Sequence, residues 1–253
     1  MIEAFSAWEL VAVMLSVAFA ALVHGAIGLG FPLVATPLLA LVTDVRTAIL
    51  LTLLPTIIIN IVSIFSDRHW ADALRRFWPL PAAAVFGSML STRVIVLADP
   101  EPFRLLLAAV IVLYLGLDLL RRNGRSGGTL RPTKGLMIVT GLVAGGLAGL
   151  VNVLAPVLIV FALETGLAAS LLVPVFNLTF LTSKIGQLGT FAVSGAVTPG
   201  LAITWLPLIG VAIAFLWIGI RVRRRTDTQV YARWLKIGLW VIAALLIVQY
   251  FGF

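Results

Sequence analysis

The sequence contains no cysteine, which excludes disulfides, thiol chemistry and cysteine-based metal sites. It has only two histidines, His24 and His69, which are too few for a histidine metal cluster, so we expect no bound metal. No Walker-type phosphate loop occurs. These absences predict a protein that is not an enzyme, needs no cofactor and has no ATP-driven mechanism of its own.

Charged residues are scarce as well, at 11%, whereas 61% of the residues are hydrophobic and the mean hydropathy is +1.14. Most apolar residues fall in blocks of roughly 18 to 25, the length that crosses the hydrocarbon of a bilayer. Backbone polar groups in lipid must be satisfied internally, which favours helices. The sequence therefore predicts an all-α polytopic membrane protein whose main partner is the lipid bilayer. The blocks are 8–42, 47–66, 77–97, 103–120, 135–163, 168–194, 199–220 and 234–253.

The net charge of +8 does not indicate nucleic-acid binding, because the basic residues lie between apolar blocks and form no large soluble face. Such charges are normally a topology signal, with positive loops in the cytoplasm. We therefore predict the cell inner (plasma) membrane, basic loops inside and both termini outside. Self-association into a homo-oligomer is left open by the sequence. The basic residues that this topology leaves outside the cytoplasm are Arg46, Arg93, Arg104 and Lys184.

Two blocks, 8–42 and 135–163, are too long for one span and short for two. Placing the basic connections 121–134 and 221–236 in the cytoplasm requires an even number of crossings between them. Two ordinary spans supply these crossings, so block 135–163 must return to its starting side. Block 8–42 returns too, because the N-terminus carries no positive charge and is placed outside.

This topology predicts two halves of opposite orientation, each a broken helical hairpin followed by three transmembrane helices, which is an inverted repeat. The predicted division is a first transmembrane repeat over 1–122, a cytoplasmic linker over 123–133 and a second repeat over 134–253.

The two hairpin tips are rich in glycine and proline. The stretch "HGAIGLGFPLVATP" (24–37) corresponds to "GGLAGLVNVLAP" (145–156), each ending in proline. Glycine permits unusual backbone angles and proline ends helices, so both tips are expected to be unwound. Unwound backbone at membrane depth exposes N–H groups and helix N-termini that attract anions. The alternative is that the small residues only let helices pack closely.

Lys184 is the most notable charge, because it lies well inside block 168–194. An intramembrane cation is a functional candidate, here for attracting an anion. Thr179, Ser183 and Gln187 lie near it and could bind oxyanion oxygens, although hydroxyls often bond their own helix. The alternative for Lys184 is snorkelling or a structural pair.

His24 lies at the first tip, where it could titrate near neutral pH or simply donate to a backbone carbonyl. Three asparagines are embedded and either hold helices together or line the site. Together these features predict one substrate site, with the two tips meeting near the membrane midplane. The predicted substrate-binding residues are His24, Gly25, Gly28, Gly30, Pro32, Asn60, Gly149, Asn152, Asn177, Thr179, Ser183 and Lys184.

Two segments resemble a known family. "HGAIGLGFPLVATPLLALV" resembles the first-half signature of the TauE/SafE sulfite exporter family, and "GLVAGGLAGLVNVLAPVLIVFALETG" resembles the second. The resemblance covers nearly the whole chain, including the spacing of spans and the basic central loop. It implies an inner-membrane transporter of sulfite, sulfonates or related organic anions.

The sequence and the resemblance together predict a secondary transporter, and an exporter, of small sulfur-containing oxyanions such as sulfite or organosulfonates. The predicted mechanism is alternating access at a site between the two broken hairpins. Two alternatives stay open, a passive anion channel and a membrane scaffold or assembly protein that transports nothing.

Overall fold

A computed structural model describes residues 6–122, 130–223 and 228–252, and every regular element in those ranges is an α-helix. The prediction of an all-α fold is therefore confirmed. Most of the predicted linker, residues 123–129, lies outside the described residues. The helices are α1 (Ala7–Ile27), α2 (Phe31–Ala40), α3 (Val45–Ser66), α4 (Trp70–Phe77), α5 (Pro79–Leu97), α6 (Glu101–Arg122), α7 (Lys134–Val151), α8 (Ala155–Thr165), α9 (Ala169–Val193), α10 (Pro199–Arg223) and α11 (Thr228–Tyr250).

Six of these helices, α1, α3, α5, α7, α9 and α10, are long and apolar enough to cross a membrane. Each of the two overlong blocks contains one such helix, followed after a break by a short one. At a rise of 1.5 Å per residue, α2 and α8 extend only about 15–17 Å, half of the hydrocarbon thickness. The arms of each hairpin are therefore unequal, because one is a full span and the other a half-span.

Helix α4 lies almost entirely between the predicted apolar blocks 47–66 and 77–97. It is an amphipathic helix, with Ala73 and Phe77 buried and Asp72, Arg75 and Arg76 exposed. Phe77 packs edge-to-face on Phe161 of α8, with the ring centroids 6.2 Å apart. The many charges favour a loop in this stretch, but the two buried apolar residues, four positions apart, lie on one face of the helix and pack against the protein.

Glycines allow two pairs of helices to pack at backbone distance, α5 against α7 and α1 against α10. A Cβ on Gly145 would overlap the carbonyl of Ala84 in α5, and one on Gly87 would overlap the carbonyl of Leu142 in α7. Gly219 of α10 has the same relation to the carbonyl of Leu22 in α1. Each pair joins a helix from the first half of the chain to one from the second.

Helices α3 and α9 occupy the centre, where they pack against each other. They are also the two candidate spans with the largest buried shares, 67% and 61% of their most apolar windows. Polar residues placed on these helices are therefore removed from lipid and water alike, and they need partners inside the protein.

Two arginines gather several chain segments at one end of the molecule. Arg46 donates from Nε to the carbonyl of Ile95 (2.7 Å) and from Nη2 to that of Ala98, at the end of α5. Arg104 donates to the carbonyl of Thr43 (3.3 Å) and to Gln249 near the end of α11, whose amide donates to Leu41 (3.1 Å). The α2–α3 connection, the α5–α6 connection and the end of α11 thus share one end.

Candidate functional site

Each hairpin turns at a residue with left-handed backbone angles. After α1, Gly28 and Gly30 have φ values of 94° and 104°. After α7, Asn152 has a φ of 62° and is the one described residue other than glycine with positive φ. Glycine adopts this conformation without steric cost and asparagine tolerates it better than most residues.

The short helix after each break begins with proline in its first turn, Pro32 in α2 and Pro156 in α8. Proline fits there because the first N–H groups of a helix have no intrahelical partner. The expected correspondence between Pro37 and Pro156 is therefore replaced by one between Pro32 and Pro156, and Pro37 lies inside α2.

The two breaks correspond position by position without gaps. Gly28 and Asn152 are 124 positions apart, as are Pro32 and Pro156 and the first residues of α3 and α9. The same offset pairs Asn60 of α3 with Lys184 of α9.

The first break is stabilised by side chains from the last turn of α1 and from α9. Nδ1 of His24 accepts the N–H of Phe31, the first residue of α2, at 3.2 Å. The neutral ring then carries its proton on Nε2, which donates to Oγ of Ser63, 2.9 Å away. Asn177 donates from Nδ2 to the carbonyl of Gly28 at 3.0 Å. His24 therefore satisfies a backbone donor that the break leaves without a helical partner.

The second break is held by α2, α3 and α9. Asn152 donates from Nδ2 to the hydroxyls of Thr36 (2.6 Å) and Thr52 (3.0 Å). Gln187 donates from Nε2 to the carbonyls of Ala148 (3.3 Å) and Gly149 (3.2 Å), in the last turn of α7. Each break is thus supported by polar side chains from the opposite half of the chain.

Lys184 lies beside the second break and is completely buried. Its ammonium group donates to Oε1 of Gln187, the same side chain that holds the end of α7. Within the described part of the chain, no carboxylate lies within 4.0 Å of this ammonium, since the one ion pair found there joins Arg104 and Glu101. An ammonium has three donors, and among the described residues only Gln187 accepts from Lys184, so this group keeps unused hydrogen-bonding capacity.

Several buried acceptors near these elements also have no partner among the described residues. They are the Oδ1 atoms of Asn60, Asn152 and Asn177. Buried polar atoms without partners carry a free-energy cost, so each is a point where water or a ligand's donor can bind.

A cavity of about 600 Å³ opens beside the first break. It reaches from His24, Gly25 and Gly28 to the last turns of α3 and α10, where Asp67 and Arg223 line it. The guanidinium of Arg223 lies over Gly28, 3.4 Å from where a Cβ would stand. This cavity connects the first break to the end of the molecule opposite the one that Arg46 and Arg104 close.

The two breaks do not meet at one point. Along α9, Asn177 contacts the first and Gln187 contacts the second. Ten helical residues correspond to about 15 Å. The two breaks therefore contact α9 at different points along its length.

Other residues of the predicted site have local roles in this structure. The hydroxyls of Thr179 and Ser183 donate to carbonyls of their own helix, Val175 (2.8 Å) and Phe180 (2.8 Å). Asn60 donates to Thr56 in the same way. Gly25 packs against the backbone of α10, and Gly149 packs against Ser88 and Ser91 of α5.

Three partners of the breaks, Thr36, Thr52 and Ser63, were not among the predicted site residues. Each is a small hydroxyl residue in an apolar helix, where such residues commonly bond the preceding turn. Nothing local distinguishes them, because their partners lie far away in sequence. Gln187 was noted beside Lys184, and its spacing of three positions is the signal that identifies it.

Because position 152 has left-handed backbone angles, glycine there should give a more stable protein than alanine, the reverse of their order inside a helix. Asn152→Ala should unfold more readily than Asn152→Gly, by about 1 kcal/mol, because a Cβ is disfavoured at positive φ. Both variants lose the same side-chain bonds, so the difference isolates the backbone. Thermal unfolding in detergent measures it.

Leu150, inside α7, is the matched control position, since glycine there should be about 1 kcal/mol worse than alanine. If alanine were the more stable substitution at both positions, a left-handed turn at Asn152 would be contradicted.

One family model, described as "Sulfite exporter TauE/SafE", matches residues 13–249. No curated protein and no solved structure matches the chain.

Proposed function

The chain belongs to the sulfite exporter TauE/SafE family, and from this premise we propose that it exports small sulfur-containing oxyanions, such as sulfite or organosulfonates, by alternating access. With six apolar helices long enough to span, it is a multi-pass membrane protein of a transporter family. We further propose that it resides in the inner membrane and performs no catalytic chemistry.

The observation that carries the proposal is the buried ammonium of Lys184. A charge removed from water is costly unless it is paired, and no carboxylate pairs with this one in the described residues. An anionic substrate would supply the missing charge. Ionisable residues inside membrane proteins commonly mark such substrate pathways.

The surroundings of Lys184 suit an oxyanion. Gln187 holds the ammonium beside the last turn of α7, and the N-terminus of α8 follows the break three residues later. Helix N-termini present free N–H groups and a favourable dipole to negative charge. A sulfite or sulfonate group, with three oxygens around one sulfur, would accept bonds from the ammonium and from these backbone donors.

Alternating access needs two halves that move against each other. The cavity beside the first break is open at one end of the molecule, while the arginine and glutamine contacts close the other end. Helix α1 of the first half corresponds to α7 of the second, and α5 corresponds to α10. The contacts α1–α10 and α7–α5 are therefore equivalent, which supports an inverted repeat. In a cell with a negative interior, export of an anion is favoured by about 2.3 kcal/mol per charge per 100 mV.

Flux into proteoliposomes tests the proposal. Sulfite and one organosulfonate, sulfoacetate, should move with saturable kinetics, and taurine and sulfate complete the series of competitors. Flux that rises linearly with concentration would identify a passive channel instead. Absence of both transport and competition across the series would remove the oxyanion function and favour a scaffold.

The inverted repeat makes a separate prediction about sidedness. The chain has no native cysteine, so single cysteines report without background. Thr43→Cys, between α2 and α3, should react with an impermeant maleimide from outside the cell. Ala168→Cys, between α8 and α9, should react only after the membrane is permeabilised and the reagent reaches the cytoplasmic side. Labelling of both from one side would contradict opposite orientations of the two halves, and the unsubstituted chain is the blank.

A further inference from the structure

Four basic residues fall outside the predicted cytoplasmic clusters, and three of them have partners. Arg46 and Arg104 bond backbone carbonyls at the end of the molecule, and Lys184 bonds Gln187. Arg93, in α5, is exposed and makes no hydrogen bond or ion pair with any residue that the structure describes. Its positive charge is therefore unpaired within the described part of the chain.

Arg93 lines a cleft of about 230 Å³ between the ends of α5 and α9. It lies four residues before the end of α5, about 6 Å along the helix axis. That depth is where side chains meet the headgroups of a bilayer. The other lining residues are Met89, Val96, Leu97, Gly189, Thr190, Val193 and Ser194, none of which is acidic.

The rim of the cleft is apolar and exposed. Leu97 and Val193, which line the cleft, are 87% and 92% exposed, so this face is turned toward lipid tails. An arginine at the edge of a lipid-facing surface, with no internal partner, is positioned for a charged group attached to an apolar body. A free anion would gain nothing from the apolar rim.

We propose that this cleft, which we name the Arg93 cleft, binds the headgroup phosphate of a phospholipid. A guanidinium presents two parallel N–H donors that match two phosphate oxygens. The hydroxyls of Thr190 and Ser194 now bond carbonyls of α9, at 3.1 Å and 2.9 Å, and can turn toward the phosphate. The acyl chains lie against Leu97 and Val193.

The cleft shares α9 with the proposed substrate site but differs from it in its exposure. Lys184 is completely buried, whereas Arg93 is exposed at the helix ends. The lipid proposal therefore stands whether or not the chain transports sulfite.

Native mass spectrometry of the full chain in detergent tests the proposal by titration with phosphatidylglycerol. The unsubstituted protein should show one saturable lipid adduct, and Arg93→Gln should weaken it about tenfold or more, the loss of a bidentate charged contact. Arg68→Gln, which removes an exposed arginine elsewhere, is the matched control and should bind as the unsubstituted protein does. Thermal unfolding without lipid should be the same for all three proteins, because Arg93 has no partner among the residues that the structure describes.

Two further ligands identify what is recognised. Diacylglycerol, which lacks the phosphate, should not compete, and glycerol 3-phosphate, which lacks the tails, should compete only weakly. Equal lipid affinity in Arg93→Gln would overturn the proposal. Glycerol 3-phosphate or inorganic phosphate binding as tightly as the lipid would identify a soluble anion as the ligand and would overturn it too. Arg93→Lys keeps the charge without the fork and should give an intermediate affinity.

Discussion

Lys184→Met should reduce sulfite transport about a hundredfold or more while leaving the protein folded. The substitution replaces a buried ammonium by an apolar side chain of similar length. If the ammonium holds the anion, its loss removes a charge-assisted contact in a dry site, and a hundredfold decrease in kcat/KM corresponds to about 2.7 kcal/mol. Proteoliposome flux over a range of sulfite concentrations measures the decrease.

Stability separates this role from a structural one. Burying an unpaired charge costs free energy, so an apolar replacement should leave the thermal unfolding temperature unchanged or raise it. Among the described residues, the one bond lost is the bond to Gln187, which keeps its own bonds to Ala148 and Gly149. If Lys184 had a structural role, the Lys184→Met variant would instead unfold more readily than the unsubstituted protein.

Lys134→Met is the matched control, because Lys134 is exposed at the start of α7 and far along that helix from the break. It should transport like the unsubstituted protein. Normal transport by Lys184→Met would exclude Lys184 from the substrate site, whatever its effect on folding.

Sequence patterns were sufficient to locate both breaks, and the reason is chemical. Glycine and proline change the local backbone wherever they stand, so "GLGFP" and the stretch ending at Pro156 indicate broken helices without tertiary information. The length of each block adds that the chain turns there, since neither accommodates two full spans. The half-spans α2 and α8 follow from the same lengths.

Which glycines turn the chain and which pack helices could not be predicted. Gly28 and Gly30 have positive φ, whereas Gly25, three residues earlier, is helical and lies against α10. The partner backbone is almost two hundred residues away in sequence, at Leu216 and Gly219, and no local pattern indicates it. The same limit explains why Asn152 was predicted as a helix contact or site residue and not as the residue that makes the turn.

The position of the two breaks relative to each other also depends on distant contacts. An inverted repeat suggests that both tips reach the midplane, and in the structure they contact different parts of α9. The depth of each tip is set by which residue of α9 it contacts, Asn177 or Gln187. Lys184 could be identified from sequence because a lysine in an apolar block is unusual, while Thr36 and Thr52, the partners of Asn152 from α2 and α3, could not.

Gly145→Ala should strongly destabilise the protein, by about 3 kcal/mol, although it adds a single methyl group. Its Cβ would overlap the backbone of Ala84, and a main chain cannot move aside as a side chain can. Helices α5 and α7 would have to separate along their whole contact, which is costly in a close-packed interior. Thermal unfolding in detergent and the folded fraction after solubilisation both measure the loss.

The adjacent residue supplies the control. A Cβ on Gly146 meets nothing within 4 Å, so Gly146→Ala should be as stable as the unsubstituted protein, or up to about 1 kcal/mol more stable through its helix propensity. Equal stabilities for the two variants would contradict backbone contact between α5 and α7. Because α1 and α10 pack in the same manner, Gly219→Ala should reproduce the effect of Gly145→Ala. Both interfaces join one half of the chain to the other, so the glycines that permit the fold also fix the separation of the two halves that alternating access would have to change.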